Sequence, residues 1–285
     1  MKKYLMDLKV VENIRLHPKY CLIKLTADKP LPEMVPGQFV QIRVDGSPQT
    51  FLRRPISINF VDKKANELWL LVQMIGEGTK RMAEYKPGDT MNVMLPLGNG
   101  FSIPDNSVGS YYNTKGSTEK TILTPRSSFI TSDSSFIPLL IGGGVGTAPL
   151  LFLGETLKII GFEPEFLLGA RSRDDLMQLE DFEKIGVVHI TTEDGTMGEK
   201  GFVTNHSILR EKKINMIYTC GPKPMMVAVA KYAKESGIPC EVSLENMMAC
   251  GIGACLCCVE NTVKGNICVC TEGPVFNINQ LTWQF

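Results

Sequence analysis

Six of the nine cysteines in this 285-residue chain fall between Cys250 and Cys270. They run Cys250-Gly251-Ile252-Gly253-Ala254-Cys255-Leu256-Cys257-Cys258, followed by Cys268-Val269-Cys270. The pattern Cys250-x4-Cys255-x2-Cys258 with one more distant cysteine is the plant-type [2Fe–2S] spacing. Each iron takes two thiolates in a tetrahedral shell. A loop bearing Gly251 and Gly253 can wrap closely because glycine lacks a Cβ, and its backbone N–H groups can then reach the cluster sulfurs. A zinc ribbon normally carries two Cys-x2-Cys knuckles, and this segment has one. Four ligands leave two cysteines spare. By spacing Cys257 is the odd one in the first group, and the fourth ligand is either Cys268 or Cys270. Nine cysteines are too few for a disulfide scaffold in a chain this long, and their clustering favours a metal site.

The rest of the composition describes an ordinary globular protein. Hydrophobic residues make up 44% and charged residues 21%, enough for a sizeable core, and the length suggests about two domains. Thirty basic and thirty acidic residues cancel, so no electrostatic case arises for a nucleic-acid or membrane partner. Lys2 and Lys3 resemble the start of a secretion signal, but Asp7 and Lys9 interrupt the apolar stretch that should come next. Phe136 to Leu153 carries no charge, yet its glycines and prolines suit a buried strand, loop and helix start better than a membrane span. The chain reads as cytoplasmic.

The first hundred residues read as β-rich. Candidate strands are Tyr20 to Leu25, Phe39 to Val44, Glu67 to Ile75 and Met91 to Leu95, separated by Gly and Pro turns, which suggests a small antiparallel barrel. In residues 102–135, 14 of 34 are Ser or Thr, which reads as an exposed insertion or linker with one short strand near Thr121 to Leu123. A flap over a cofactor is the alternative. Strand and helix patterns then alternate: Phe136 to Ile141, Ala148 to Ile160, Phe166 to Gly169, Val187 to Thr191, Met216 to Thr219 and Pro224 to Ser236. That alternation points to a parallel sheet with flanking helices. The expected organisation is a β barrel over 1–101, the insertion over 102–135, an α/β domain over 136–239 and a small cluster domain over 240–285.

Three further segments bear on chemistry. Arg53-Arg54-Pro55-Ile56-Ser57 comes after a strand of the barrel, where an arginine can pair with a pyrophosphate and a hydroxyl can bond a flavin. Gly76-Glu77-Gly78-Thr79 opens a helix whose backbone amides suit a phosphate. Gly142-Gly143-Gly144-Val145-Gly146-Thr147 lies between an apolar strand and a helix, the place of a dinucleotide loop, although it is not a clean G-x-G-x-x-G. Arg171-Ser172-Arg173 stands where a ribose-binding acid is usual, so these residues leave NAD and NADP both open.

In this order the elements resemble the ferredoxin reductase superfamily, which pairs a flavin-binding barrel with a nicotinamide-binding α/β domain. Its flavin motif matches Arg54-Pro55-Ile56-Ser57, with Ile56 departing from the aromatic position, and its nicotinamide-side cysteine matches Cys220 in Cys220-Gly221-Pro222. The appended cysteine segment narrows the likeness: the chain is similar to the electron-transfer subunits of class 1B dihydroorotate dehydrogenases. Thr192-Glu193-Asp194-Gly195, Met248-Ala249-Cys250, and Cys270 before Gly273-Pro274-Val275-Phe276 also carry that likeness. The last of these selects Cys270 as the fourth ligand beside Cys250, Cys255 and Cys258. The resemblance further implies FAD, contacted also by Leu71, Val72, Gln73, Gly78 and Thr79. It implies NAD rather than NADP, held by Gly142, Gly143, Gly144, Gly146, Thr147, Gly221 and Pro222, with Cys220 in a catalytic position.

By the same resemblance, the chain turns hydride chemistry into single-electron flow. A separate FMN-bearing catalytic subunit would oxidise dihydroorotate, and this chain would deliver the electrons to NAD in pyrimidine biosynthesis. Two rival readings are a related reductase arm serving a hydrogenase, a sulfite reductase or a NADH–ferredoxin enzyme, and a non-catalytic zinc-binding module. The cysteine loop and the apolar tail from Ile278 to Phe285 are expected near the partner, with packing of Leu281, Trp283 and Phe285 back onto this chain as the alternative.

Overall fold

The computed structural model describes residues 2–105, 110–113, 121–123 and 136–283. The barrel region holds β1 (Tyr4–His17), β2 (Tyr20–Thr26), β3 (Phe39–Ile42), β4 (Arg54–Ser57), β5 (Phe60–Asp62), β6 (Glu67–Gln73), the short helix α1 (Glu77–Met82) and β7 (Thr90–Leu97). The strands form one antiparallel sheet in the order β4-β3-β7-β1-β2-β6-β5, curled into a half-barrel. Alternation builds its core. Leu68, Leu70 and Val72 of β6 turn inward with Val40 and Ile42 of β3 and Val93 and Leu95 of β7. Strands β8 (Ile103–Asp105), β9 (Ser110–Asn113) and β10 (Thr121–Leu123) pair as a small antiparallel sheet. Most of the Ser/Thr-rich stretch 102–135 lies outside the described residues.

The α/β region contains β11 (Pro138–Gly143), α2 (Ala148–Ile159), β12 (Glu165–Ala170), α3 (Leu179–Ile185), β13 (Val187–Thr192), β14 (Glu199–Lys200), α4 (Ile208–Glu211), β15 (Met216–Cys220) and α5 (Lys223–Glu235). Every residue of β11 is buried, as expected for a parallel strand covered on both faces. Gly154 brings α2 down onto the sheet: a Cβ there would lie 2.3 Å from the Phe166 ring. The chain then adds β16 (Cys240–Ser243), β17 (Val259–Thr262), β18 (Gly265–Cys268), α6 (Val269–Glu272) and β19 (Val275–Asn277). The sheet order is β14-β13-β12-β11-β15-β16-β19, with β19 antiparallel to β16. The boundary expected at 239/240 therefore does not coincide with the sheet edge. Residues 240–243 and 275–277 belong to the sheet, and the cysteine segment leaves and rejoins it between them.

Long-range polar contacts lock the three regions together. Ser102 donates from its backbone N and its hydroxyl to the buried Glu241 carboxyl at 2.9 and 2.7 Å. Tyr218 donates to the Ser102 carbonyl at 2.8 Å, and its ring packs edge-on against Phe101. Asn59 donates to the Ala148 carbonyl at 3.0 Å, tying the barrel to the start of α2. Asn99 N donates to the Gly273 carbonyl at 2.6 Å, tying the barrel exit to the end of the cysteine segment. The tail takes the packing alternative rather than an open surface: Ile278 and Leu281 are buried in this chain's own core and Trp283 packs against it. Phe285 lies outside the described residues.

Candidate functional site

Two cavities meet between the barrel and the α/β sheet. The larger, about 610 Å³, lies at the carboxyl ends of the parallel strands and is lined by Gly143, Gly144, Gly146, Gly221 and Pro222 among others. The smaller, about 270 Å³, is lined by Pro55, Ile56, Ser57, Leu71, Gln73 and Thr79 along its barrel wall. Gln73, Val145 and Glu245 border both. The flavin-motif strand and the glycine loop, 80 or more residues apart in sequence, thus face a common space.

On the barrel side the two arginines have different jobs. Arg53 is spent inside the protein: it donates to the Asn92 carbonyl at 3.0 Å, to Asn92 Oδ1 at 2.5 Å and to the Gln41 carbonyl at 3.3 Å. Among the described residues Arg54 makes only short-range bonds, to the Leu52 and Arg53 carbonyls. It lies against Gly78, where a Cβ would come within 2.9 Å of Arg54 Nε and of Thr50. Gly78 therefore lets the start of α1 close on the arginine. Thr79 turns its hydroxyl back to accept from Ile75 N and Gly76 N at 3.1 and 3.2 Å. Leu71 and Gln73 face the cavities, but the Val72 side chain between them points into the barrel core. The Val72 side chain is thus absent from the cavity wall, because alternate strand residues face opposite ways.

On the α/β side the glycine loop passes over the end of β15. A Cβ on Gly146 would lie 2.4 Å from Gly221 Cα and 2.6 Å from the Cys220 carbonyl carbon. Gly144 adopts φ +56°, a left-handed turn. Gly142 and Thr147 do not line the cavity. They pack against each other, and the Thr147 hydroxyl donates to the Gly144 carbonyl at 3.0 Å, holding the loop's shape. Cys220 sits fully buried behind this loop, with Sγ 3.9 Å from Glu245 Oε1. Burial, with the nearby Glu245 charge adding to it, pushes the Cys220 thiol well above its ordinary range, so it is a neutral thiol. Glu245 opens onto both cavities, yet the protein packed around its carboxyl raises its pKa, burial being the main cause. Glu245 carries no local sequence signal. Neither does Tyr20, whose hydroxyl accepts from Gln73 Nε2 at 3.0 Å. Both are brought in by tertiary contacts.

The cysteine segment folds as a glycine-bearing turn laid on the outer face of β3 and β7. Gly251 and Gly253 have φ of +70° and +82°. Ile252 N donates to Cys250 Sγ at 3.4 Å, Gly253 N to Cys270 Sγ at 3.1 Å, and Cys270 N to Cys258 Sγ at 3.4 Å. Against the opposing effect of burial, the backbone amides of Ile252 and Cys255 hold Cys250 down at about 6, inside thiolate range. Burial, reinforced by a hydrogen bond with Cys258, pushes Cys270 up to about 12. Cys258 and Cys270 are buried and Cys257 is exposed. Cys268 also faces Cys258, so both candidates for the fourth ligand come to the loop. Among the described residues, no three Cys, His, Asp or Glu side chains converge closely enough for a single metal ion. Thiols gathered around amide-rich glycine turns fit a two-iron cluster, whose ligands divide into pairs and whose sulfurs accept backbone hydrogen bonds.

A half-barrel carrying an Arg-Pro-x-Ser strand, docked on a parallel sheet whose glycine loop shares its cleft, defines an oxidoreductase of the ferredoxin reductase class. Solved structures agree. The chain is similar, with a TM-score of 0.78 and 27% identity over 97% of this chain and 90% of the other, to an NADH-dependent reduced ferredoxin-NADP oxidoreductase. The cytochrome b5 reductase domain of Ulva prolifera nitrate reductase shares the fold, with a TM-score of 0.60 and 16% identity over 82% of this chain and 94% of the other. Residues 245–282 match the model of the iron-sulfur cluster binding domain of dihydroorotate dehydrogenase B. Curated relatives include electron transfer subunits of dihydroorotate dehydrogenase B (NAD(+)). Those from Fusobacterium nucleatum (34% identical over 95% of each chain) and Listeria monocytogenes (34% identical over 97% of this chain and 98% of the other) span nearly its full length. The chain belongs to this family of dihydroorotate dehydrogenase B electron transfer subunits.

Proposed function

We propose that this chain carries electrons between a catalytic subunit that oxidises dihydroorotate and NAD+, in pyrimidine biosynthesis. The observation that carries the reading is the meeting of the two cavities at Gln73, Val145 and Glu245, with the cysteine turn packed on the barrel strands beside them. When bound, FAD exchanges a hydride with the nicotinamide and single electrons with the [2Fe–2S] cluster. The chain's own residues orient these groups and keep water out. Pro55, Ile56, Ser57, Leu71, Gln73 and Thr79 hold the flavin, with the Val72 backbone between them and Arg54 beside Gly78 on its pyrophosphate. Gly143, Gly144, Gly146, Gly221 and Pro222 admit the nucleotide, on a loop shaped by Gly142 and Thr147. Cys220, a neutral thiol, packs at the nicotinamide end without taking a charge. Cys250, Cys255, Cys258 and Cys270 hold the cluster. The working division is a flavin region over 1–101, a nucleotide region over 136–239 extended by β16 and β19, and a cluster segment between those two strands.

The partner catalytic subunit bears FMN, and the complex is cytoplasmic. Among the described residues no helix is long and apolar enough to cross a membrane. The isolated chain is expected to reduce artificial dyes with NADH and to turn over dihydroorotate only after an FMN-bearing catalytic subunit is added. Dihydroorotate oxidation by the purified chain alone would remove the need for a partner. Efficient NADH-driven reduction of free ferredoxin, with no response to the dihydroorotate partner, would assign the chain to the ferredoxin-linked reductases instead.

The arginine pair gives a second test. Arg54→Ala removes a charge-assisted pairing with a phosphate, worth about 1.5–3 kcal/mol, and should strip FAD during gel filtration. Arg53→Ala should keep its flavin and lose thermal stability, because Asn92 and the Gln41 carbonyl lose their donor. Equal flavin content in wild type and Arg54→Ala would reject the assignment.

A further inference from the structure

The outer face of β3 carries a polar side chain in an apolar setting. Gln41 is fully buried, and among the described residues neither its Oε1 nor its Nε2 has a hydrogen-bond partner. Its neighbours on that face are Phe39, Leu97 and Met94, which pack into the same core as Cys258, Val269 and Cys270. Buried carboxamides are ordinarily paired, because leaving one unpaired forfeits its hydration with no return. A leucine or methionine would fill this position without that penalty, so the glutamine calls for a partner.

Its position names the partner. A Cβ built on Gly251 would lie 2.8 Å from Gln41 Cγ, 3.0 Å from Nε2 and 3.2 Å from Leu97 Cδ1. The carboxamide thus presses on the backbone immediately after Cys250, at the turn where Ile252 N already donates to Cys250 Sγ. Gly251 leaves the room for it. Thiolates and sulfides are acceptors, so the end of the carboxamide that can serve them is the NH2 end. On the other side, Gln41 is the register partner of Pro55, in the flavin-motif strand. One residue therefore spans from that strand to the cysteine turn.

We propose that Gln41 donates a hydrogen bond from Nε2 to a sulfur of the cluster at the Cys250–Gly251 turn, raising the cluster's reduction potential. The inference rests on the four-cysteine assignment above. Reduction adds negative charge that a hydrogen-bond donor stabilises, and hydrogen bonds to the sulfurs are among the features that set such potentials. Gln41 acts as a tuning residue. It supplies no ligand, and its loss should leave the iron in place.

The test uses the full chain with its cofactors. In Gln41→Met, which keeps an unbranched side chain and removes the donor, iron, sulfide and FAD contents should match wild type. The cluster's midpoint should fall, with the reduced-to-oxidised ratio at a fixed potential dropping about tenfold, equivalent to about 59 mV for one electron. A direct measurement in the wild type makes the proposal independent of that variant's folding. Protein labelled with 15N in the glutamine side chains, reduced and examined by pulsed EPR, should show a nitrogen coupled to the cluster. An unchanged midpoint in an iron-replete Gln41→Met, or an absent nitrogen coupling in the wild type, overturns the proposal. Failure of the underlying assignment looks different: the reduced wild type would then give no two-iron EPR signal at all.

Discussion

Serine at Cys250, Cys255, Cys258 or Cys270 should each strip or destabilise the cluster, with iron content and visible absorbance falling together. In the proposed ligand set, a serine hydroxyl replaces a thiolate that half-fills an iron's protein shell. The loss of dihydroorotate-driven NAD+ reduction in the reconstituted complex should exceed the roughly 10–100-fold typical of outer-shell changes at metal sites. NADH-driven dye reduction should survive within a few-fold, because the flavin and nucleotide cavities are built from other residues. Cys250→Ser and Cys255→Ser change partly exposed turn positions and should spare stability. Cys258→Ser and Cys270→Ser also place a hydroxyl in an apolar core beside Val269 and Phe276, so their melting temperatures should fall as well. Cys257→Ser, at an exposed thiol, should keep its iron. The discriminating variant is Cys268→Ser, because Cys268 and Cys270 both face Cys258. The buried Cys270 receives the Gly253 amide at 3.1 Å, whereas the Cys268 thiol, besides facing Cys258, meets the Gly253 carbonyl at 3.9 Å. Retained iron in Cys270→Ser with lost iron in Cys268→Ser would reverse that choice.

How much of this molecule is legible in its sequence depends on how local the causes are. β2, β6 and β7 announce themselves because their core residues alternate over short runs bounded by Gly and Pro. β1 does not, although it is the longest described strand: only Leu8 and Val10 are fully buried, Met6 packs partly against the core, and Asp7, Lys9 and Glu12 interrupt the pattern. The helices α2 and α5 are readable from apolar periodicity and from Gly237, which takes φ +68° just after α5. β16 escapes such reading because it is four residues long with a carboxylate inside it. Glu241 is tolerated there only because Ser102, 139 residues away, supplies two donors, and no local window holds that information. The same reason hides Glu245 and Gln41. The glycine loop and the cysteine turn are local devices and are visible. Val72 shows a different limit. A likeness carried over as a block of three residues ignores the alternation that separates Val72 from Leu71 and Gln73.

The larger cavity, the proposed nucleotide cleft, yields the other large effect. Gly146→Val should abolish saturable reduction by NADH in the accessible concentration range, and Gly146→Ala should weaken it. A Cβ at this position would meet Gly221 Cα at 2.4 Å, Gly221 N at 2.5 Å and the Cys220 carbonyl carbon at 2.6 Å. All three are backbone atoms at the end of β15, a central strand hydrogen-bonded to β11 and β16, so no flexible side chain can give way. The glycine loop must move instead, and it is the loop that lines the larger cavity. Overpacking of this kind costs about 1–3 kcal/mol. If the cost falls on the nucleotide-competent loop position, Gly146→Ala binds NADH about 5–150-fold more weakly, at 1.4 kcal/mol per tenfold. The two added methyl groups of valine take the effect beyond that range. The proposed flavin contacts on the barrel wall and the cysteine turn come from other segments, and the loop reaches the smaller cavity through Val145, so FAD content should stay close to wild type and iron content should match it, which separates this outcome from misfolding. The measurement is anaerobic stopped-flow reduction of the bound flavin against NADH concentration. Gly146→Ala with wild-type NADH affinity would show that the loop can shift without consequence, and that the nucleotide approaches the flavin by a route the glycine does not guard.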